Sequence, residues 1–483
     1  MPPISLESFA AQSGVAFGTS GARGRVIDMS DALCWAYTTA FLQSVAPEST
    51  RVVLGHDLRP SSPRIAAACA AAIVASGREF VYCGALPTPA LAFYAAQLGA
   101  PAVVVTGSHI PFDRNGIKFY RADGEISKPD EQAMLATTVQ LPDVVVNATL
   151  PEPDARAAAA YVQRYLDFFG TGALAGVRVA VYEHSSVGRD VLHTILLGLG
   201  AQVIRLGRTE TFVPIDTEAV RAEDVAQARL WAAEHVFDAI VSTDGDADRP
   251  LIGDERGEWM RGDAVGVLCA QYLQAQVVVT PVSSNTAVEK CGVFGQVVRT
   301  RIGSPYVIAA MDEALASNVA VKLGGAVAGY EANGGFLLGS AVQHGGRTLH
   351  ALPTRDAVLP MLALLSLARK QGCKLSQLSA DLPKRFTASD RLQNFATDAS
   401  RALIASLQGD AALMAQTLAP HAGAVASTDE TDGLRVTFAN GDIVHLRPSG
   451  NAPELRCYAE SDTAQQAQTL CHDCLARLAG KMT

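Results

Sequence analysis

Three stretches of the chain share one rhythm: an apolar β-branched run, a polar loop, an Ala/Leu-rich helical stretch, then another apolar run. No other feature limits its fold as tightly. The first copy begins at Arg51-Val-Val-Leu-Gly55, crosses the alanine-rich segment 65–76 to Glu79-Phe-Val-Tyr-Cys83, and continues to a third apolar run at 103–105. The second begins at Val177-Arg-Val-Ala-Val-Tyr182 and the third at Gln276-Val-Val-Val-Thr280. Strands alternating with helices predict parallel sheets joined by crossover helices. Ser185-Ser186 and Ser283-Ser284 follow the leading strands of the second and third copies and are expected to cap the next helix.

At 483 residues the chain exceeds one ordinary core. The spacer Leu150-Pro-Glu-Pro-Asp154 and the segment Gly253-Asp-Glu-Arg-Gly257 read as boundaries. After Gly372 the pattern changes: Gly433-Leu-Arg-Val-Thr-Phe438 and Ile443-Val-His-Leu446 alternate across Asn440-Gly441, a strong hairpin signal. The expected fold class is α/β, with three successive similar α/β domains of mixed, mostly parallel sheets and a smaller C-terminal α+β domain. The divisions are 1–152, 153–255, 256–372 and 373–483.

Hydrophobic residues make up 49% of the chain and charged residues 18%, a globular composition. A net charge of −9 disfavours non-specific attraction to nucleic acid or anionic membrane, so an anionic ligand must be held locally. The opening MPPISLESFAAQSG lacks a basic n-region and a long apolar core, and no apolar run reaches the roughly 20 residues of a spanning helix. A cytoplasmic protein without nucleic-acid or membrane partners is expected, as a monomer or small homo-oligomer. Of nine cysteines, Cys69, Cys269 and Cys291 fall in apolar patterns, and Cys471-His-Asp-Cys474 lacks the second pair a zinc site needs.

Chemistry concentrates in five places. In Val103-Val-Val-Thr-Gly-Ser-His-Ile-Pro-Phe-Asp-Arg-Asn-Gly-Ile-Lys118 a buried-strand pattern empties into a loop with a hydroxyl, an imidazole and an ammonium, where ligands of open α/β sheets collect. On its own, Ser108 also fits a helix cap or a turn. Phe237-Asp-Ala-Ile-Val-Ser-Thr-Asp-Gly-Asp-Ala-Asp-Arg249 repeats that design with Asp244, Asp246 and Asp248 at alternate positions. Carboxylates so close repel unless a cation offsets them, and hard divalent cations take such ligands; an Asx-turn cluster or an Asp-rich surface loop is the alternative. Gly329-Tyr-Glu-Ala-Asn-Gly-Gly-Phe336 brings a Glu and an Asn that can pair with vicinal hydroxyls, or forms only a tight turn. Pro448-Ser-Gly-Asn451, between Arg447 and Arg456, can form an anion-binding nest. Phe17-Gly-Thr-Ser-Gly-Ala-Arg-Gly24 sets Arg23 in a glycine frame.

As an ordered series these five resemble the α-D-phosphohexomutases over essentially the whole chain. That family has a Gly-Thr-x-Gly-x-Arg-Gly opening, a Thr-Ala-Ser-His-Asn-Pro loop with a following Asn-Gly-x-Lys, and an Asp-Gly-Asp-x-Asp-Arg loop. A Gly-Glu-x-Ser-Gly loop and an Arg-Pro-Ser-Gly-Thr-Glu-Pro loop complete it. Here the matching segments are 18–24, 106–118, 244–249, 329–335 and 447–453.

The resemblance implies four domains around a central cleft and a phosphoserine at Ser108, with His109 positioning the phosphate and Lys118 as general base. It implies Mg²⁺ on Asp244, Asp246, Asp248 and the phosphoserine, with Arg23 and Arg249 adding positive potential. Thr19, Ser20, Gly303, Ser304, Glu331, Asn333, Arg447, Ser449, Gly450, Asn451 and Arg456 are placed with the substrate. The implied reaction moves a phosphoryl group between the 1 and 6 positions of a hexose phosphate through a hexose 1,6-bisphosphate. Mannose phosphate leads, ahead of glucose, glucosamine and N-acetylglucosamine phosphates. A metal-dependent phosphatase and a non-catalytic sugar-phosphate binder are the readings from other classes.

The chain departs from the family pattern in several places. Gly107 and Ile110 replace the usual Ala and Asn, and Asn451-Ala452 replaces Thr-Glu. Asn333 and Gly335 stand where bacterial members usually have Ser and His, and the Glu-Ala-Asn-Gly string looks more like eukaryotic N-acetylglucosamine phosphate mutases.

Overall fold

A computed structural model describes residues 3–18, 20–144, 147–449 and 453–480. The three rhythmic stretches fold to one plan. In the first sheet Arg51–His56 pairs in parallel with Glu79–Ala85 on one side and Ala102–Val105 on the other, and Arg114–Arg121 returns antiparallel beside Ala102–Val105. The second sheet repeats this as Gln202–Leu206, Arg178–Tyr182, Ala239–Thr243 and antiparallel Pro250–Gly253. The third runs Gln296–Thr300, Ala275–Pro281, Ala326–Tyr330 and antiparallel Phe336–Leu338, extended by Leu352–Asp356. Each sheet therefore has a spatial order of second, first, third and fourth strand. The loop between the third strand and its antiparallel successor holds Ser108 in the first copy, the three aspartates in the second, and Glu331 with Asn333 in the third.

The fourth sheet is wholly antiparallel, in the order Phe386–Gln393, Glu454–Ser461, Ile443–Pro448, Leu434–Phe438 and Val425–Asp429. Leu434–Phe438 and Ile443–Pro448 form the anticipated hairpin, and Gly441 takes the φ of 87° that its turn requires.

Packing unites the first three units and separates the last. Val53, Ala102 and Val104 on one face of the first sheet join a core that also takes Tyr161, Tyr165, Val179, Val181, Val278 and Leu362. The opposite face, with Val52, Leu54, Val103 and Val105, packs on its own helices, as period-two alternation requires. The fourth unit has a separate core around Val436, Leu446, Leu455, Cys457 and Cys474. A buried polar knot ties the second unit to the third: Tyr161 donates to Asp356 Oδ1 at 2.7 Å and Tyr165 donates to the other oxygen.

The serine pairs do not cap helices. The helix after Ser185-Ser186 starts only at Arg189, and Ser185 Oγ accepts from Val213 N while Ser186 Oγ accepts from Gly188 N. Ser284 Oγ accepts from Thr280, ahead of a single turn at Ala287–Lys290. The strand ends must be closed against neighbouring loops, and that demand takes these hydroxyls. All nine cysteines are free. Among the described residues no helix is long and apolar enough to cross a membrane.

Candidate active site

The strand Ala102–Val105 is fully buried and delivers Ser108 to the sheet edge in a left-handed backbone conformation, φ 52°. That conformation is uncommon for a residue with a Cβ and costs about 1–2 kcal/mol, so the surroundings must impose it. They do so through two side chains from the loop after the first strand. Asp57 Oδ2 accepts from Thr106 Oγ1 at 2.8 Å and from Gly107 N at 3.3 Å, and Thr106 Oγ1 in turn accepts from Ser108 N at 2.8 Å.

Arg59, with Asp57 completely out of solvent, donates to the carbonyls of Ser108 (2.9 Å), Ile110 (2.6 Å), Pro111 (2.7 Å) and Arg114 (2.9 Å). Its guanidinium lies on Gly107, where a built Cβ would meet Cζ at 2.5 Å. Phe212 of the second unit covers Arg59, 4.1 Å from ring centroid to Cζ. The glycine at 107 is thus the space Arg59 occupies.

Ser108 Oγ donates to Asp244 Oδ2 at 2.5 Å and lies 3.2 Å from His109 Nδ1. The ligand oxygens of Asp244, Asp246 and Asp248 all lie within 4.8 Å of one another, and the three residues are buried. Each carboxylate has one side pinned. Asp244 Oδ1 accepts from the backbone N–H groups of Asp248 and Arg249, both at 3.2 Å. Asp246 Oδ2 takes Thr88 Oγ1 and Lys118 Nζ, each at 2.7 Å. Asp248 Oδ2 takes Lys118 Nζ at 2.7 Å and Arg355 Nε at 3.1 Å. Among the described residues Asp246 Oδ1 and Asp248 Oδ1 are buried without a hydrogen-bond partner, Asp248 Oδ1 lying 3.6 Å from Arg249 Nε.

Burial, reinforced by Asp246 and Asp248, pushes the Asp244 carboxyl well above the usual range. Burial also works against ionised Asp248, but Arg355, Lys118 and Arg249 outweigh it and hold that carboxyl below the usual range. Two buried oxygens without a hydrogen bond, beside a third carboxylate that resists ionisation, suit a cation site, and hard oxygen donors suit Mg²⁺ or a similar ion. The triad can hold a metal ion.

Cationic groups close the same end of the cleft. Burial lowers the Lys118 ammonium, but its bridge between Asp246 and Asp248 outweighs that and keeps it protonated. Burial, then Arg249 and Arg23, drive the His109 imidazole far below its ordinary pKa, so it is neutral. Its Nδ1 faces Arg249 Nη1 at 3.0 Å. Burial lowers Arg23 to about 10, and its buried Nε has no partner.

On the third unit Glu331 Oε2 accepts from Arg355 Nη1 at 3.0 Å. Asn333 Oδ1 accepts from Gly335 N at 2.9 Å, and the positive φ of this turn, 88°, falls on Gly334 rather than on Asn333. Gly335 is again a space: a Cβ there would meet Arg355 Cδ at 2.8 Å. Gly262 opens the helix Gly262–Tyr272 flat against this loop, with a built Cβ 2.4 Å from both Ala332 O and Gly334 N. Gly262→Ala is expected to displace the loop at about 1–3 kcal/mol. Sugar-phosphate KM should then rise with little change in the Ser108 loop, which steady-state kinetics and denaturant unfolding will read.

The structure brings Ser108, His109, Lys118, Arg23, Arg249, the three aspartates and Glu331 into one connected cluster. Ser20 and Ser304 are placed behind it, both donating to buried Glu125, at 3.4 and 3.0 Å, while Thr354 donates to the other oxygen of Glu125 at 2.8 Å. Gly303, at φ 131°, precedes the helix Ser304–Ala316. Arg447, Ser449 and Arg456 belong to the fourth unit. Burial and Asp216 raise the Glu218 carboxyl, with Arg261, Arg249 and Arg456 opposing that rise. Thr19, Gly450 and Asn451 lie outside the described residues.

Sequence reasoning missed Asp57, Arg59, Glu125 and Arg355. Asp57 and Arg59 follow a strand, the position that singled out Ser108, whereas Glu125 and Arg355 lie within the strands Gly124–Glu125 and Leu352–Asp356, where no sequence signal sets them apart.

Family comparison agrees with this layout. Phosphoglucomutase/phosphomannomutase alpha/beta/alpha domains I, II and III match residues 14–141, 159–257 and 261–386, and the C-terminal domain of that family matches 394–477. The phosphomannomutase of Sinorhizobium fredii is 47% identical over 97% of this chain and 100% of its own length. That of Salmonella muenchen is 46% identical over 98% and 97%. A putative phosphomannomutase from Thermus thermophilus shares the fold with a TM-score of 0.76 at 22% identity, covering 97% of this chain and 99% of that one. An Aspergillus fumigatus N-acetylphosphoglucosamine mutase shares it at 0.57 and 15%, covering 99% and 100%. With four domain matches in order and near-full-length relatives close to half identical, the chain belongs to the phosphoglucomutase/phosphomannomutase family.

Proposed function

We propose that the protein is a phosphohexomutase that interconverts the 1- and 6-phosphates of mannose. The observation that carries the class is the 2.5 Å contact between Ser108 Oγ, presented in a strained backbone, and Asp244 of a three-carboxylate cluster. The sugar rests on the near-full-length similarity to two phosphomannomutases. The Glu-Ala-Asn-Gly string weighs less, since the N-acetylphosphoglucosamine mutase is alike in fold alone.

Phosphorylated Ser108 gives its phosphoryl group to the free hydroxyl of the bound hexose phosphate, and Ser108 Oγ leaves. The 1,6-bisphosphate turns round and returns its other phosphoryl group to Ser108. Asp244, Asp246, Asp248 and the phosphoserine would hold Mg²⁺, which supplies charge neutralisation at the transferring group.

Arg23, Arg249 and neutral His109 hold the phosphoryl oxygens in a water-poor end of the cleft, where positioning and electrostatics supply most of the rate. Lys118 exchanges the proton of the attacking hydroxyl, a role that requires its pairing with Asp246 and Asp248 to loosen. Glu331 offers Oε1 to sugar hydroxyls while Arg355 holds Oε2. Arg447, Ser449, Gly450, Asn451 and Arg456 take the phosphate that is not reacting. With divisions at 152/153, 255/256 and 372/373, the first unit contributes two loops to this task and each of the others at least one.

A coupled assay with each hexose 1-phosphate, Mg²⁺ and a trace of the matching 1,6-bisphosphate is the test. Mannose 1-phosphate is expected to give 6-phosphate with the highest kcat/KM. Release of inorganic phosphate without 6-phosphate would show a phosphatase instead.

A further inference from the structure

The turn that opens the strand Leu434–Phe438 meets the third unit. Arg301 Nε donates to Thr431 O at 3.0 Å, and Ile302 N donates to Asp432 Oδ2 at 3.0 Å. The same Asp432 oxygen lies 3.4 Å from Arg447 Nε, both side chains being mostly buried. Gly433, at φ 87°, brings the turn against Arg447: a Cβ there would lie 2.9 Å from Arg447 Cβ and 2.2 Å from Leu446 O. His445 Nε2 fixes the turn from below, 2.5 Å from Asp432 O.

An arginine recognises phosphate through a bidentate edge, and its rotamers must be restricted for that edge to face one way. At 3.4 Å the approach of Asp432 to Arg447 Nε is an ion pair without hydrogen-bond geometry; it restricts the rotamers by charge and leaves the edge formed by the two terminal nitrogens, which among the described residues make no bond, for an anion. We infer that Asp432 is a positioning residue for the non-reacting phosphate, holding Arg447 by Nε. Because the same oxygen accepts from Ile302, it aligns that arginine with the segment leading into Gly303 and Ser304. The phosphate site is then complete only when the fourth unit is seated on the third. The inference rests on Arg447 being a phosphate ligand.

The test uses the full-length protein with Asp432→Asn, which removes the charge and keeps an acceptor for Ile302 N. KM for mannose 1-phosphate is expected to rise about tenfold or more, the scale of a lost charge-assisted contact. Transfer from phosphoserine to unphosphorylated mannose, which has no second phosphate, should keep its wild-type rate, as followed by loss of the phosphoryl group from intact protein. The unfolding midpoint should also hold. A KM that stays the same or falls overturns the inference, as does equal slowing of both transfers.

If the wild type converts no hexose phosphate, the proposed function fails separately. Asp432 is then read from equilibrium binding of inorganic phosphate, which D432N and Arg447→Ala should weaken alike. Wild-type phosphate affinity in D432N beside a loss in R447A would overturn it.

Discussion

Ser108→Ala is expected to abolish interconversion of hexose phosphates, lowering kcat by at least about four orders of magnitude, the scale of losing a nucleophile. Its hydroxyl has no substitute: His109 is neutral and turned to Arg249, Asp244 Oδ1 is taken by backbone N–H groups, and Asp244 Oδ2, freed by the loss of Ser108 Oγ, belongs to the three-carboxylate cluster. The fold should survive, because the variant loses one hydrogen bond and retains Arg59, Asp57 and Thr106 around the same backbone. The change in stability should be within about 1–2 kcal/mol. Intact mass should show one phosphoryl group on the wild type and none on the variant. A phosphoryl group that persists in Ser108→Ala would move the carrier elsewhere.

Arg59→Met should be the most damaging change outside the reacting groups. It removes the guanidinium from four carbonyls, of which Pro111 O keeps the N–H of Arg114, and leaves Asp57 as an uncompensated buried charge. Breaking a buried ion pair from one side costs about 3–5 kcal/mol. The penalty appears in the Ser108 loop, since no other side chain among the described residues gathers Ser108, Ile110, Pro111 and Arg114 at one point. We expect a lower unfolding midpoint together with a loss of kcat of about a hundredfold or more, about 3 kcal/mol of positioning. Arg59→Lys should not rescue, because an ammonium is a point charge and cannot reach all four oxygens. Wild-type kcat in a stably folded Arg59→Met would show that the loop keeps its shape without the guanidinium.

What the sequence disclosed and what it hid divide by range. The three-fold rhythm is local, and so the parallel units and the loops of Ser108, Asp244 and Glu331 can be placed from it. The shared strand order, which puts those three loops at one topological position, depends on pairings between distant runs and appears only in the folded sheets.

Arg59 and Arg355 are ordinary arginines until their partners, 49 and 107 residues away for Ser108 O and Asp248, come into contact. In the sequence Gly107 is a neutral departure from the family pattern, and the guanidinium lying on it gives that departure a cause. The serine pairs at 185–186 and 283–284 fail as caps because a hydroxyl after a strand has both neighbouring backbone and a helix to serve, and periodicity cannot rank them.

The shared apolar core has a consequence for how the chain is made. Val53 and Val104 share their core with the helix Thr88–Gln97 of the same unit, and that helix packs in turn against Arg156–Phe169 of the second unit and Leu352–Asp356 of the third, so the first unit leaving a ribosome has both faces of its sheet covered but the far side of one helix bare. Domains usually fold one after another during synthesis. Here that helix gains its last partners only when the chain has been extended through the third unit. The fourth unit, whose core stands wholly apart, can close after the rest.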